Sequence, residues 1–426
     1  MDQENTLILS LRIEVTQLRR TEVIETMNRT LPDVHHPQLT RGLLFLMALT
    51  CGFTVANVYV NQTLLASMAQ TFGGTITQIG WVATLAQVGY ALGNLFLVPL
   101  ADMVERRRLM LVLLGIVSIS IAAAAVSPNM NWLISIHLVI GITTVIPQVV
   151  VPMAASLVIA EQRGRVLGNV AIGLVCGILG ARFVSGWIDA IYGWRVMYWI
   201  SFGCMIGLMI LVRSLFPRSY GRAEMTYRAL IASLLPLIRK EQVLRKTCIS
   251  QAFVFGAFSV FWTTLALLLA SPAYSLGSGA VGMVGLVGIG GAFATPLVGR
   301  VIDRMGAVFA GRVCTAAALF SYLLLLLWGE RLMVLVFAAF LITVGTQANQ
   351  VACQARLFEQ SSEARNRLNG LYMVATFLGG ALGSYLVLLA WSHWQWGGVC
   401  VTGLSMLLIS SIGLIDRGNS FGTSNG

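Results

Sequence analysis

Three titratable side chains stand out because everything around them is apolar: Arg182, Asp189 and His137. A guanidinium inside hydrocarbon costs at least about 2.5–3.5 kcal/mol, so Arg182 should face a protein interior or a wet cavity. There it could contact an anionic or polar ligand; otherwise it snorkels, bound to carbonyls or to Asp189. Asp189 lies seven residues further on, which is about 10 Å along a helix. With His137 it is a candidate proton carrier, although a lone imidazole near an interface also serves as a hydrogen-bonding bystander. Asn57, Gln87, Gln148, Gln251, Trp262, Gln347 and Asn349 share the apolar setting. Amides both donate and accept, so this set could line a cavity for a small molecule. Each member could equally bond a neighbouring helix, an interaction worth about 0.6 kcal/mol on average. The polar segments show no metal-ligand spacing and no nucleophile–base pair, so no metal, no cofactor and no enzymatic activity are expected.

Long helices must hold these residues. The chain has 426 residues, 57% hydrophobic and 11% charged, with a mean hydropathy of +0.80. Such apolar surface needs lipid, which excludes a soluble domain. No charge falls within 42–100, 109–160, 247–299 or 368–415, and 166–212 and 313–355 are broken only by Arg182, Asp189, Arg195, Glu330 and Arg331. A crossing takes about 20 apolar residues, so each of the six runs holds two. Continuous runs of this length exclude a barrel, whose strands alternate over about ten residues. The expected spans are roughly 42–66, 77–100, 109–126, 131–158, 166–188, 194–213, 247–270, 277–299, 311–329, 332–355, 368–391 and 397–416.

The net charge of +11 could suggest nucleic acid, but its placement argues otherwise. All but three of the 28 Lys and Arg fall in segments on one side, the exceptions being Arg182, Arg195 and Arg331. That bias puts both termini in the cytoplasm and makes the bilayer, not DNA, the partner of the basic loops. The seven cysteines lie inside spans, against a disulfide framework, and residues 1–41 read as a cytoplasmic extension without a cleavable signal. Residues 214–246 form the longest inner connection, where Tyr227–Leu244 reads as an amphipathic interfacial helix, and 417–426 form a cytoplasmic tail.

The two halves, 42–213 and 247–416, repeat each other. Glu161-Gln-Arg163-Gly-Arg165 recurs as Glu363-Ala-Arg365-Asn-Arg367 at an offset of 202, which Gly177 with Gly379 and Trp194 with Trp396 keep. Asp102 pairs with Asp303 at 201. An even number of crossings per half makes the repeats parallel, an arrangement that sets a site between halves at mid-depth. The fold expected is an all-α membrane protein of twelve transmembrane helices in two parallel six-helix repeats.

Leu100-Ala101-Asp102 with Arg106-Arg107, Gly299-Arg-Val-Ile-Asp303-Arg304-Met-Gly306, and Gly193-Trp194-Arg195 followed by Tyr198 stand at matching places in the topology. In these the chain resembles the major facilitator superfamily, and more narrowly its bacterial twelve-helix branch of drug:proton antiporters and sugar-efflux permeases. Two signatures depart from that pattern. His137 stands where the fourth helix usually has Arg, and the fifth lacks the proline of Gly-Pro-x-x-Gly-Gly. The resemblance implies alternating access by a monomer in the cell inner membrane, carrying a small organic molecule outward with protons. A uniporter or importer of an anionic solute using Arg182, and a non-transporting receptor on the same fold, are the alternatives. It also implies a conformational latch of Asp102, Arg106, Glu161, Arg165, Asp303, Arg304, Glu363 and Arg367. Asp102 sits at a helix carboxyl end, where the dipole disfavours an anion, so it should seek the helix start near Arg367–Asn369. By the repeat, Asp303 should meet the helix start near Arg165.

Overall fold

In a computed structural model, residues 39–220, 226–272, 274–293, 304–358 and 365–413 are described. They are nearly all helical: α1 Arg41–Phe72, α2 Ile76–Phe96, α3 Arg106–Ala125, α4 Met130–Thr143, α5 Ile146–Ser156, α6 Ala160–Tyr192 and α7 Trp194–Leu215. Two short helices follow, α8 Tyr227–Ala232 and α9 Leu234–Lys240, then α10 Gln242–Ala270, α11 Ser278–Phe293, α12 Ala307–Trp328, α13 Leu332–Phe358 and α14 Arg365–Gly413. Among the described residues, ten helical segments are long and apolar enough to cross a membrane. One of them, α14, is two crossings. Gln395 leaves the helical region (φ 50°, ψ −138°), and a side chain on Gly398 would meet the Ala390 carbonyl eight residues back. In a straight helix those residues stand about 12 Å apart. With α11 as a further apolar helix, the count agrees with twelve.

Local chemistry sets the boundaries. Gly73, at φ 60°, ends α1 by turning its N–H onto the carbonyls of Ala69 and Gln70. Thr75 then opens α2 with a capping box, its hydroxyl accepting from the Gln78 N–H while the Gln78 side chain accepts from the Thr75 N–H. The expected fourth span is broken into α4 and α5 at Thr144–Val145, just ahead of Pro147, which has no N–H to give. The connection between halves departs from expectation. Instead of one amphipathic helix over 227–244 there are α8 and α9, because the ring of Pro236 conflicts with the carbonyl four residues earlier.

Several pairs of helices pack backbone to backbone, two of them at matching places in the halves. A side chain on Gly173 would strike the Ala48 carbonyl, and one on Gly177 would lie 2.2 Å from the Gly52 oxygen, so α1 and α6 touch directly. Gly379 stands against Ala252 and Gly383 against Gly256 in the same way, joining α10 to α14. This packing corrects the register of the repeat in these helices. Gly177 corresponds to Gly383, one helical turn beyond Gly379, and Gly173 corresponds to Gly379. Large apolar side chains such as Phe45, Ile119, Trp187 and Met333 stay exposed on the outer surface of the bundle, as a lipid-facing surface requires.

Candidate functional site

The contacts between the first six crossings and the last six run along two seams. On the first, α2 and α14 lie antiparallel. Far from the α8–α9 connection, Gly80 is so close to Leu388 that a side chain there would clash, and Trp81 and Tyr385 place their rings 5.1 Å apart. Midway, the Gln87 amide donates to Ser384 Oγ at 2.9 Å and its carbonyl accepts from Ser259 Oγ at 3.1 Å. Thr263 and Ser384 share a further bond of 3.0 Å. Next come Tyr90 and Phe377, with ring centres 4.0 Å apart. Towards the α8–α9 end the seam gives way to a cleft of about 70 Å³, bordered by Asn94, Asp102, Arg106, Gln148, Arg367 and Asn369. On the second seam Ser278 Oγ donates to the Gly186 carbonyl at 3.3 Å, and Gly282 lies against Arg182 and Phe183.

Arg182 sits where α6 faces α1, α10 and α11. It is completely buried, and its Nη2 donates to Gln62 Oε1 at 2.8 Å. The guanidinium carbon stands 4.1 Å from the Trp262 ring centre, 5.0 Å from Tyr59 and 5.4 Å from Phe258. Its Nε and Nη1 have no acceptor among the described residues. Asp189 is not its partner; that carboxylate accepts from Ser67 Oγ at 2.5 Å.

The other candidate residues separate into groups. Gln87, Arg182 and Trp262 lie between the two sets of helices, and Gln148 borders the cleft with its Nε2 3.5 Å from the Tyr90 hydroxyl. Asn57 donates to the Phe53 and Thr54 carbonyls and to Met205 Sδ. Asn349 donates to Gln251 Oε1 at 2.8 Å, tying α13 to α10. Gln347 is half-buried on α13. His137 is buried between α4 and α7. Its Nδ1 donates to the Leu133 carbonyl at 2.7 Å, so its Nε2 accepts from the Tyr198 hydroxyl at 2.8 Å. Tyr198→Phe would strand that nitrogen, costing about 1–2 kcal/mol and lowering the thermal midpoint in detergent. An unchanged midpoint would show that water replaces the hydroxyl.

The charged residues at the cleft are only partly joined. Asp102 pairs with Arg106 at 3.5 Å. It shares the cleft with Arg367 and Asn369, although Arg367 itself donates to Ser233 Oγ at 3.2 Å. Arg165 and Arg304 are exposed. Asp303 and Glu363 lie outside the described residues, as does the side chain of Glu161. Sequence reasoning missed Gln62, Tyr59, Phe258, Ser259, Thr263 and Ser384. The four-residue spacing of Phe258 and Trp262 was a readable sign of a shared aromatic face.

The model of the Major Facilitator Superfamily matches residues 44–384. The uncharacterized transporter YgaY of Escherichia coli O157:H7 is 31% identical over 373 residues, covering 88% of this chain and 95% of that one. A chloramphenicol efflux pump of Mycobacterium tuberculosis is 24% identical over 347 residues, 80% of each chain. Among solved structures, a bacterial homologue of the human lysosomal transporter Spinster, inward-facing and unoccupied, superposes with a TM-score of 0.68 at 14% identity, covering 87% of this chain and 94% of that one.

Proposed function

The chain belongs to the major facilitator superfamily and is a multi-pass membrane transporter rather than an enzyme, and we propose that it carries a small organic molecule by alternating access. The observation that carries this reading is the uneven closure between helices 42–213 and 247–416. Both seams are closed at the end far from α8–α9, and a cleft lies at the near end. In this reading that near end faces the cytoplasm and the protein lies in the cell inner membrane, an orientation supported by the basic loops. Asp102 with Arg106, facing Arg367 across the cleft, forms the side that must close for the far side to open. Asp303, Arg304, Arg165, Glu161 and Glu363 complete that latch in this proposal.

Spin labels at Trp81 and Tyr385 report the far seam, and labels at Asn94 and Val374 report the cleft. Alternating access predicts two distance populations at each pair, with the cleft shortening as the far seam lengthens. A single fixed distance at both pairs would end the reading.

Outward, proton-linked transport is the coupling we propose, and likeness to the chloramphenicol efflux pump supports its outward direction. Inverted vesicles should then accumulate chloramphenicol succinate, an aromatic compound that carries a carboxylate, faster under a pH gradient. One observation favours a second reading, an anion uniporter or importer. Arg182 lacks a carboxylate partner among the described residues, while His137 and Asp189 are both engaged within the first six crossings. Gradient-independent flux would select it.

A further inference from the structure

We infer that Arg182 is the anion-binding group of a site for an aromatic carboxylate, an assignment that rests on the transporter reading and names its substrate class. A guanidinium carries five N–H donors and no acceptor. Here one nitrogen is used by Gln62, while the N–H on Nε and the two on Nη1 have no hydrogen-bond acceptor among the described residues. The indole Nε1 of Trp262, in the ring that lies against the same guanidinium, also has no acceptor among the described residues. Unfilled donors in a fully buried position call for a ligand that brings acceptors. Buried polar groups in folded proteins nearly always have a partner, so three unfilled donors on one buried cation, with a fourth on the ring beside it, point to acceptors brought from outside the bundle. A carboxylate supplies two oxygens in the plane of the guanidinium and neutralises its charge.

The surroundings define the rest of the ligand. Tyr59, Phe258 and Trp262 ring the cation, and no carboxylate is paired with it among the described residues. From this box a column of aromatic rings leads to the cleft. Trp262 and Phe258 are 6.0 Å apart, Phe258 and Phe255 5.5 Å, Phe255 and Phe377 5.2 Å, and Phe377 and Tyr90 4.0 Å, with Gln148 beyond. Gln87, Ser259 and Ser384 lie beside this column but bond one another, so the rings are the surface left for a ligand, which suits a flat apolar body bearing one negative charge better than a polyol or a peptide. The contacts also straddle the moving parts. Arg182 and Gln62 belong to the first six crossings, and Trp262 and Phe258 to the last six. Gly285 of α11 closes against the Arg182 side chain, where a Cβ would come within 3.0 Å. A ligand held there touches both halves.

The test uses the purified full-length protein in detergent. Thermal midpoints are measured with benzoate and phenylacetate, and with benzamide as the uncharged match, for the unaltered chain, Arg182→Met and Arg182→Lys. The carboxylates should raise the midpoint in proportion to the logarithm of their concentration while benzamide does not. Arg182→Met should lose that response and melt higher than the parent without ligand, since it removes an unpaired buried cation. Arg182→Lys should respond with apparent affinity reduced tenfold or more, because its ammonium cannot present the planar fork. Equal responses to benzoate and benzamide, no response to either carboxylate, or an undiminished response in Arg182→Met would each overturn the assignment. Should Arg182→Met fail to fold, benzoate against benzamide on the parent and the Arg182→Lys affinity still decide. Spin-label distances that switch while the carboxylates do nothing would remove the anion site and leave the transporter standing. Distances that never switch would remove the transporter itself.

Discussion

Gly177→Val should abolish folded protein, while Gly115→Ala should leave the thermal midpoint at or slightly above that of the parent. The two glycines are alike in sequence, each in the middle of an apolar helix. At Gly177 the first added carbon would lie 2.2 Å from the Gly52 oxygen and 2.4 Å from its Cα. Those are backbone atoms, which cannot swing aside as a side chain could. Relief requires α1 and α6 to part along their length, and overpacking that usually costs about 1–3 kcal/mol then exceeds about 4 kcal/mol. Gly115 has nothing within 4 Å of an added carbon, so alanine there brings only its better helix propensity, up to about 1 kcal/mol. Fluorescence-detected size exclusion and a thermal melt check both variants. A monodisperse Gly177→Val protein with the parent midpoint would disprove the direct contact of these backbones.

Gln87→Leu should shift the conformational balance towards an open far side without unfolding the protein. Gln87 is buried and joins α2 to Ser384 on α14 and Ser259 on α10. Space for its amide comes from Gly380, where a Cβ would lie 1.9 Å from Gln87 Oε1. Both bonds cross between the two sets of helices, so they exist only while the seam is shut. Leucine has similar bulk and makes neither. Two bonds at roughly 1 kcal/mol each correspond to about a 30-fold change in the ratio of closed to open. Labels at Trp81 and Tyr385 should show the longer distance gaining population. An unaltered distribution would mean that ring and leucine packing alone hold the seam.

The architecture was legible because hydrocarbon tolerates so few charges. Runs such as 42–100 and 368–415 admit no soluble reading, and basic residues at their ends leave few topologies. The partners of Arg182 were not legible. They lie on α1 and α10, far away in the chain, and an amide with three rings announces no charge complement. Amides posed the same difficulty. Asn57, Gln87 and Gln251 are chemically interchangeable on the page, yet only Gln87 spans the seam, while Gln251 ties α10 to α13 and Asn57 bonds along α1 and to α7. The repeat slipped by a turn because each helix offers glycines at four-residue steps, and only the facing backbone shows which pair meets. Pro236 was visible all along, and its ring was sufficient reason to divide the expected interfacial helix.

Counting along the register that the glycine contacts define, 206 residues beyond Gly177 to Gly383, the position equivalent to Arg182 is Leu388. Leu388 closes against Gly80 and offers a ligand nothing but hydrocarbon. An ancestral duplication thus kept its scaffolding in two copies and its cation in one. If the ligand is held at Arg182 as proposed, the stoichiometry should be one charged solute per cycle.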